Sequence, residues 1–163
     1  MKTIYILAAS IVFTLHTSEA QLIKVDQAVF GMDCAPCAYG LERGLKKMEG
    51  LGNITVSLND GKAYLSLISG NTLTLKGIQE VVKKNGFSAR TAEILAIGEL
   101  NKSGDEWTLK VNNETFSVAA VTDEEIIRNL AGGRVKLKGE VMDEDDKHLS
   151  DKWTIRIMEI LPL

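Results

Sequence analysis

Residues 31–37 read GMDCAPC and contain both cysteines of the 163-residue chain, Cys34 and Cys37. Two sulfur atoms at this spacing can share one soft metal ion, or they can form a disulfide with each other. A purely structural disulfide is disfavoured, because closing so short a loop removes little conformational entropy from the unfolded chain. The stretch therefore predicts a site with metal chemistry or redox chemistry.

The residues on either side of this stretch predict a strand before it and a helix after it. Residues 21–30 are rich in aliphatic side chains and end at Gly31, which is typical of a strand. Pro36 suits the first turn of a helix, where a missing N–H costs no hydrogen bond. Apolar residues then recur at three- and four-residue steps, the pattern of an amphipathic helix: Ala38, Leu41, Leu45 and Met48.

Further strands and a second helix are predicted up to residue 92. Residues 54–67 alternate around a turn at 59–61, so they predict a hairpin. A second helix begins at residue 73 or 75 and stops at Asn85-Gly86, and residues 88–95 predict a closing strand. Strand, helix, strand, strand, helix, strand is the order of a ferredoxin-like βαββαβ domain, which we assign to residues 21–92. The cysteines then lie in its first strand-to-helix loop.

The second half of the chain has a different pattern. Residues 93–163 predict five short strands, with a short helix between the third and the fourth, which indicates a small OB-like β-barrel. The junction at residues 93–98 has no stretch rich in Ser, Gly or Pro, so the two domains are expected to pack closely. The fold class is therefore α+β, a ferredoxin-like domain followed by an OB-like barrel.

The first twenty residues are typical of a removable signal peptide. Lys2 precedes an apolar run at residues 4–15, and the small residues of Ser18-Glu19-Ala20 offer a cleavage point. The run has about a dozen residues, whereas a membrane span needs roughly 20. We therefore expect residues 1–20 to be removed and the mature protein to be periplasmic or secreted, with no stable membrane insertion.

Charge and motif content exclude several classes of function. The formal net charge is −3, and a chain without a strongly basic balance is not expected to bind nucleic acid. The sequence shows no acid–base pair, nucleophile triad or phosphate-binding loop. It therefore predicts a binding protein and not an enzyme.

The combination of motif and element order resembles the heavy-metal-associated domain. The resemblance covers residues 21–92 and rests on the Gly-Met before the Cys-x-x-Cys, the order of elements and the Asn-Gly-Phe that ends the second helix. That family includes copper chaperones, amino-terminal modules of metal-pumping P-type ATPases and a periplasmic mercury-binding protein. The resemblance implies that Cys34 and Cys37 are thiolate ligands and that Met32 is buried beneath the loop. It also implies that Phe87 lies near the loop, as in the ATPase modules.

The same resemblance implies a cargo and a partner. The cargo is a heavy-metal ion, copper first, with zinc and mercury as alternatives, since soft thiolates select such ions. The partner is a protein that receives the ion. Asp33 leaves the choice of metal open, because its carboxylate is either a third ligand or a helix cap facing water.

Two other hypotheses use the same residues differently. The Cys-Ala-Pro-Cys sequence also resembles the redox motif of thiol–disulfide oxidoreductases, although the tryptophan that usually flanks that motif is absent. In an oxidising compartment the pair would rest as a disulfide until it is reduced. A second soft-metal site in the barrel is the weaker hypothesis, and its residues are Met142, His148, Trp153 and Met158.

Overall fold

The computed structural model describes residues 19–120, 122–142 and 152–163. Within those residues the chain forms eight strands and three helices. The strands are β1 (Gln21–Phe30), β2 (Leu51–Ser57), β3 (Lys62–Leu67), β4 (Ser88–Ser103), β5 (Glu106–Val111), β6 (Glu114–Val118), β7 (Gly133–Val141) and β8 (Lys152–Leu161). The helices are α1 (Ala35–Leu45), α2 (Leu75–Lys84) and α3 (Glu124–Asn129).

The first half has the predicted order of elements. Strands β2, β3, β1 and β4 are neighbours in the sheet in that order, and all of their pairings are antiparallel. Alternate residues of β1 are buried, as expected for a strand with one covered face. The apolar stripes of α1 and α2 are buried as well, so they form the core of this half: Leu41, Leu45, Leu75, Ile78 and Val82.

Strand β4 joins the two halves. The sequence predicted a closing strand that ends at residue 95 and a separate strand after it, but β4 runs without a break from Ser88 to Ser103. Its buried alternate positions Ala92, Ile94 and Ala96 continue the period-2 pattern through the junction, which explains the single strand. One edge of β4 pairs first with β1 and then with β5. Strand β7 pairs with residues 92–100 of β4. The proposed boundary between residues 92 and 93 therefore lies inside a strand that serves both halves.

The second half is a closed sheet of five strands. Its order is β4-β5-β6-β8-β7, and the pairing of β7 with β4 closes the ring. Strands β6 and β8 are parallel, whereas the other pairs are antiparallel. Helix α3 lies between β6 and β7 in the chain, where the sequence predicted it. The interior contains fully buried apolar side chains: Leu100, Leu109, Phe116, Leu137 and Ile155.

A buried carboxylate fastens the second half to the first. The Glu114 side chain at the start of β6 accepts hydrogen bonds from the backbone N–H groups of Leu75 and Lys76, at 2.6 and 2.8 Å. It also accepts a bond from the Trp153 indole N–H at 3.1 Å. Helix α2 has no acidic residue in its own first turn, so the barrel supplies the negative charge that the positive end of this helix favours.

The turn before Glu114 adds a second contact. Asn112 has a φ of 49°, a left-handed conformation that asparagine tolerates better than most residues. Its side-chain amide donates to the Leu73 carbonyl at 2.8 Å, just before α2 begins. The barrel thus holds the amino-terminal end of α2, about 15 Å along the helix from its other end.

Some of the features predicted from the sequence fall on residues that the structure does not describe. They include most of the expected signal peptide, residues 1–20. Among the described residues, no helix combines the length and the apolar character needed to cross a membrane.

Candidate metal centre

The loop that carries the cysteines begins with a sharp change of backbone direction. Strand β1 ends at Phe30, and Gly31 has a φ of +88°, a conformation that side chains with a Cβ rarely adopt. Met32 then turns inward and is only 6% exposed, as the resemblance implied. The buried Met32 side chain anchors the loop on the core, so the following residues are displayed at the surface.

Cys34 is the cap residue of α1. Its backbone is extended, with φ −142° and ψ 149°, and its Sγ accepts a hydrogen bond from the Cys37 N–H at 3.1 Å. The Cys34 carbonyl accepts the first helical bond from Ala38 at 3.1 Å. Pro36 occupies the first turn, as predicted, where its missing N–H leaves no partner unsatisfied. A sulfur in this position faces the positive end of the helix, which favours a thiolate over a thiol.

The two sulfurs are joined to each other in the structure. Cys34 and Cys37 form a disulfide, and their Cα atoms are 5.1 Å apart. This separation lies within the ordinary range for disulfides, so the loop needs no rearrangement to bring the sulfurs together. The metal-binding role predicted from the sequence belongs to the reduced thiolates. The structure therefore presents the oxidised form of the pair, from which reduction by two electrons gives two adjacent soft donors.

Asp33 directly precedes Cys34 in the loop. Its side chain is exposed. No group of three or more His, Cys, Asp or Glu side chains within residues 19–120, 122–142 and 152–163 is arranged to hold an ion. The arrangement thus offers two sulfur donors from one loop.

Replacing Asp33 with alanine is expected to leave Zn(II) affinity of the reduced protein within about threefold of the wild type, because a solvated carboxylate contributes little to binding. Competition titration against a zinc chelator measures this ratio. A fall on the order of 100-fold, the loss expected when one ligand is removed, would make Asp33 a ligand.

Aromatic side chains flank the loop. Phe30 and Tyr39 are 65% and 64% exposed. The Arg90 guanidinium lies 5.2 Å from the centre of the Phe30 ring, and that of Arg43 lies 5.9 Å from the Tyr39 ring. Both contacts are within cation–π range, so the apolar surface beside the cysteines carries positive charge at its edges.

An open, shallow cavity lies beside Cys37, between α1 and the residues that directly follow α2. Its volume is about 340 Å³, and its lining comprises Pro36, Cys37, Gly40, Leu41, Asn85 and Phe87. Phe87 therefore lies beside the cysteine loop, where the resemblance placed it. The Asn85 amide caps α2 by donating to the Val81 carbonyl at 2.8 Å, which fixes this wall of the cavity.

The structure describes three of the four residues of the hypothesised second soft-metal site. Trp153 is 2% exposed and its indole N–H is bonded to Glu114. Met142 and Met158 are 38% and 39% exposed and contribute soft sulfur atoms at the surface. His148 lies outside the described residues.

The role of Glu114 was not predicted from the sequence. The strand pattern indicated that Glu114 is buried, because side chains two residues apart lie on the same face of a strand and Phe116 is buried. Burial raises the pKa of the Glu114 carboxyl, and the hydrogen bonds from Lys76, Leu75 and Trp153 oppose that rise. The carboxylate is thus a buried contact between the two halves, and it lies at the end of α2 remote from the cysteines.

Comparison with known proteins places the first half in context. The model of the heavy-metal-associated domain family matches residues 28–88. A probable copper-transporting ATPase of Arabidopsis thaliana is 25% identical over 124 residues, which cover 71% of this chain and 12% of that protein. Copper-transporting ATPase 2 of Rhizobium meliloti (strain 1021) is 35% identical over 83 residues, covering 49% of this chain and 10% of that protein.

The chain therefore spans only about a tenth of the length of these curated relatives. Among solved structures, the crystal structure of a copper-binding domain from a P-type ATPase is 30% identical to the matched part. The matched part covers 45% of this chain and 93% of the solved domain, and the TM-score is 0.39.

Proposed function

We infer that residues 28–88 belong to the heavy-metal-associated domain family. On this premise we propose that the protein binds one Cu(I) ion through reduced Cys34 and Cys37 and delivers it to a protein partner. The observation that carries the proposal is the placement of both sulfurs on one surface loop at the amino-terminal end of α1. The names of the matched ATPases support copper as the first cargo.

The donor set suits a soft ion that must be released again. Thiolate sulfur favours Cu(I), Zn(II) and Hg(II) over calcium or magnesium. Two thiolates can form a linear site for Cu(I) or Hg(II), whereas a structural zinc site closes four positions. A site with only two protein ligands leaves room for a partner's thiolate to attack the ion. This openness favours transfer between proteins over permanent storage, and it assigns no enzymatic turnover to the chain.

Location and the role of the barrel are part of the same proposal. The apolar run at residues 4–15 supports export to the periplasm or the cell exterior, where the ion would be collected or detoxified. Five strands in a closed ring, with a parallel pair and a helix between the third and fourth strands, support an OB-like fold for residues 93–163. The barrel contacts the first half at the amino-terminal end of α2, so it leaves the cysteine loop open to a partner.

A thiol–disulfide oxidoreductase is the second candidate. The disulfide between Cys34 and Cys37 supports it, because such enzymes cycle between this state and a dithiol. Turnover separates the two candidates. A redox enzyme oxidises or reduces many equivalents of a substrate dithiol, whereas a metal carrier needs its disulfide reduced once and then binds and releases the ion without further electron transfer.

A transfer assay tests the proposed delivery. The reduced protein, loaded with one equivalent of Cu(I) under anaerobic conditions, is mixed with the metal-free amino-terminal module of a copper-transporting ATPase. We expect copper to reach the module within minutes, faster than it escapes to a chelator that removes only free Cu(I). Ligand exchange through a shared thiolate intermediate gives this order of rates. If the module gains copper no faster than the chelator, delivery by direct contact is wrong.

A further inference from the structure

Another cavity opens where the two halves meet, on the face of the sheet opposite α1 and α2. Strands β1, β4, β7 and β8 all contribute to it, so neither half forms it alone. Its volume is about 240 Å³, and its lining includes Lys24, Asp26, Glu93, Leu95, Lys138 and Leu161. This volume is below the usual range of about 300–1,000 Å³ for drug-sized ligands, so it suits an occupant the size of a single amino acid.

Strand pairing places an apolar side chain between two lysines in this cavity. Leu95 of β4 is paired with Lys24 of β1 on one side and with Lys138 of β7 on the other. Side chains paired in this way stand about 5 Å apart on one face of a sheet. Lys24 pairs with Asp26 at 3.0 Å, and Lys138 pairs with Glu93 at 2.9 Å. An ammonium group has three N–H donors, so each lysine can also bind a ligand carboxylate.

Asp26 provides a carboxylate with an unsatisfied oxygen. Its Oδ2 atom accepts a hydrogen bond from Lys24. Its Oδ1 atom is buried and has no hydrogen-bond partner among the residues that the structure describes. A buried acceptor without a donor is costly, so an N–H donor that reaches Asp26 would be stabilised. Because Lys24 is 49% exposed, its side chain can turn from Asp26 toward a ligand and leave room for such a donor.

We propose that this cavity binds a free amino acid with an aliphatic side chain. The ligand carboxylate lies between Lys24 and Lys138, the ligand ammonium group contacts Asp26, and the ligand side chain packs on Leu95. The site uses neither cysteine and no metal ion. It therefore goes beyond the proposed function and can be tested separately from it.

Charges of both signs favour a zwitterion over a simple anion or cation. Ion pairs of 2.9 to 3.9 Å connect the charged side chains, which are Lys24, Lys62 and Lys138 with Asp26 and Glu93. The hydrogen bond from Lys138 lowers the pKa of Glu93, so this carboxyl is ionised at neutral pH. A ligand with only a carboxylate would meet two carboxylates without a counter-charge. A ligand with only an ammonium group would meet three lysines.

A titration with L-leucine tests the proposal. The ¹⁵N-labelled full chain is titrated with L-leucine, with L-leucinamide, which lacks the carboxylate, and with N-acetyl-L-leucine, which lacks the ammonium group. Amide shifts in NMR spectra locate the site and give the Kd. We expect L-leucine to shift the amides of Lys24, Leu95 and Lys138 with a Kd of about 1 mM, as suits a ligand with few atoms. Each analogue should bind about tenfold more weakly, because it lacks one charge-assisted contact.

Two lysines on β7 give a matched pair of variants. Lys136 is two residues from Lys138 on the same strand and lies outside the lining of the cavity. We expect Lys138→Met to weaken L-leucine binding about tenfold and Lys136→Met to weaken it less than about twofold. Asp26→Asn, on the other side of the cavity, should also weaken binding about tenfold, so the test does not depend on the folding of one variant. Thermal unfolding verifies the fold of each variant.

Three results would overturn the inference. They are an equal Kd for Lys136→Met and Lys138→Met, equal binding of L-leucine and L-leucinamide, and no amide shift at an L-leucine concentration about tenfold above the expected Kd. The variant with serine at both Cys34 and Cys37 should bind L-leucine as the wild type does. If the reduced wild type binds L-leucine but not Cu(I), the proposed function falls while this inference stands.

Discussion

Replacing both Cys34 and Cys37 with serine is expected to weaken Cu(I) binding by a factor on the order of 10⁴. Structural zinc sites with four protein ligands bind with about 10–16 kcal/mol, which corresponds to roughly 100-fold in affinity for each ligand. A serine hydroxyl is a hard, neutral donor, and it does not replace a thiolate toward a soft ion. Competition against a Cu(I) chelator, with the reduced wild type alongside, measures the loss.

Two matched variants make this result specific. Cys34→Ser alone is expected to lose about 100-fold, because one thiolate remains. Substituting leucine for the exposed sulfur residues Met142 and Met158 should leave both affinity and stoichiometry unchanged. If the double serine variant retains wild-type affinity, the copper site lies elsewhere in the chain.

Replacing Glu114 with alanine is expected to lower the free energy of unfolding by about 3 kcal/mol, since it leaves two buried N–H groups and one partly buried N–H group without their acceptor. For a chain of this size the loss corresponds to a fall in Tm of about 10 °C. The N–H groups of Leu75, Lys76 and the Trp153 indole all lie at the contact between the two halves. Chemical denaturation and calorimetry measure the change.

The matched control is the exposed Glu106 on β5, which is expected to change stability by less than about 0.5 kcal/mol on substitution with alanine. Hydrogen exchange locates the effect. In Glu114→Ala, the first turn of α2 should exchange faster, while β2 and β3 keep their protection. Equal stability of Glu114→Ala and Glu106→Ala would show that Glu114 does not hold the two halves together.

The pH dependence of this contact has a definite sign. Burial raises the pKa of Glu114 above its ordinary value of 4.5, although the hydrogen bonds and the nearby Lys76 oppose the rise. The folded protein then binds this proton more tightly than the unfolded chain, so this carboxyl makes the protein more stable as pH falls toward 4.5. Glu114→Gln lacks this titration. The stability of the wild type relative to Glu114→Gln should therefore increase as pH is lowered through that window.

Local patterns in the sequence predicted most of the first half. The apolar stripe of α1, the hairpin around residues 59–61 and the stop of α2 at Asn85 each depend on neighbouring residues, and the structure has all three elements. The position of the cysteines at the start of α1 followed from Pro36 and the preceding glycine. Such features are set by backbone preferences and short-range periodicity, which a single sequence displays.

Features that depend on distant residues were not predictable in this way. The contact of Glu114 with α2 joins residues 39 positions apart, and only the topology of the barrel brings them together. The continuity of β4 depends on three pairing strands, one of which begins at Gly133. The redox state of the cysteines is a property of the compartment as much as of the chain, so the sequence left disulfide and dithiol open.

The most direct measurement is X-ray absorption at the copper edge of the reduced protein loaded with one equivalent of Cu(I). Our account predicts that one ion is retained against a competing chelator, with a coordination shell of two sulfur atoms that is absent from the double serine variant. Copper that is removed by the chelator, or a shell of nitrogen and oxygen, would contradict it.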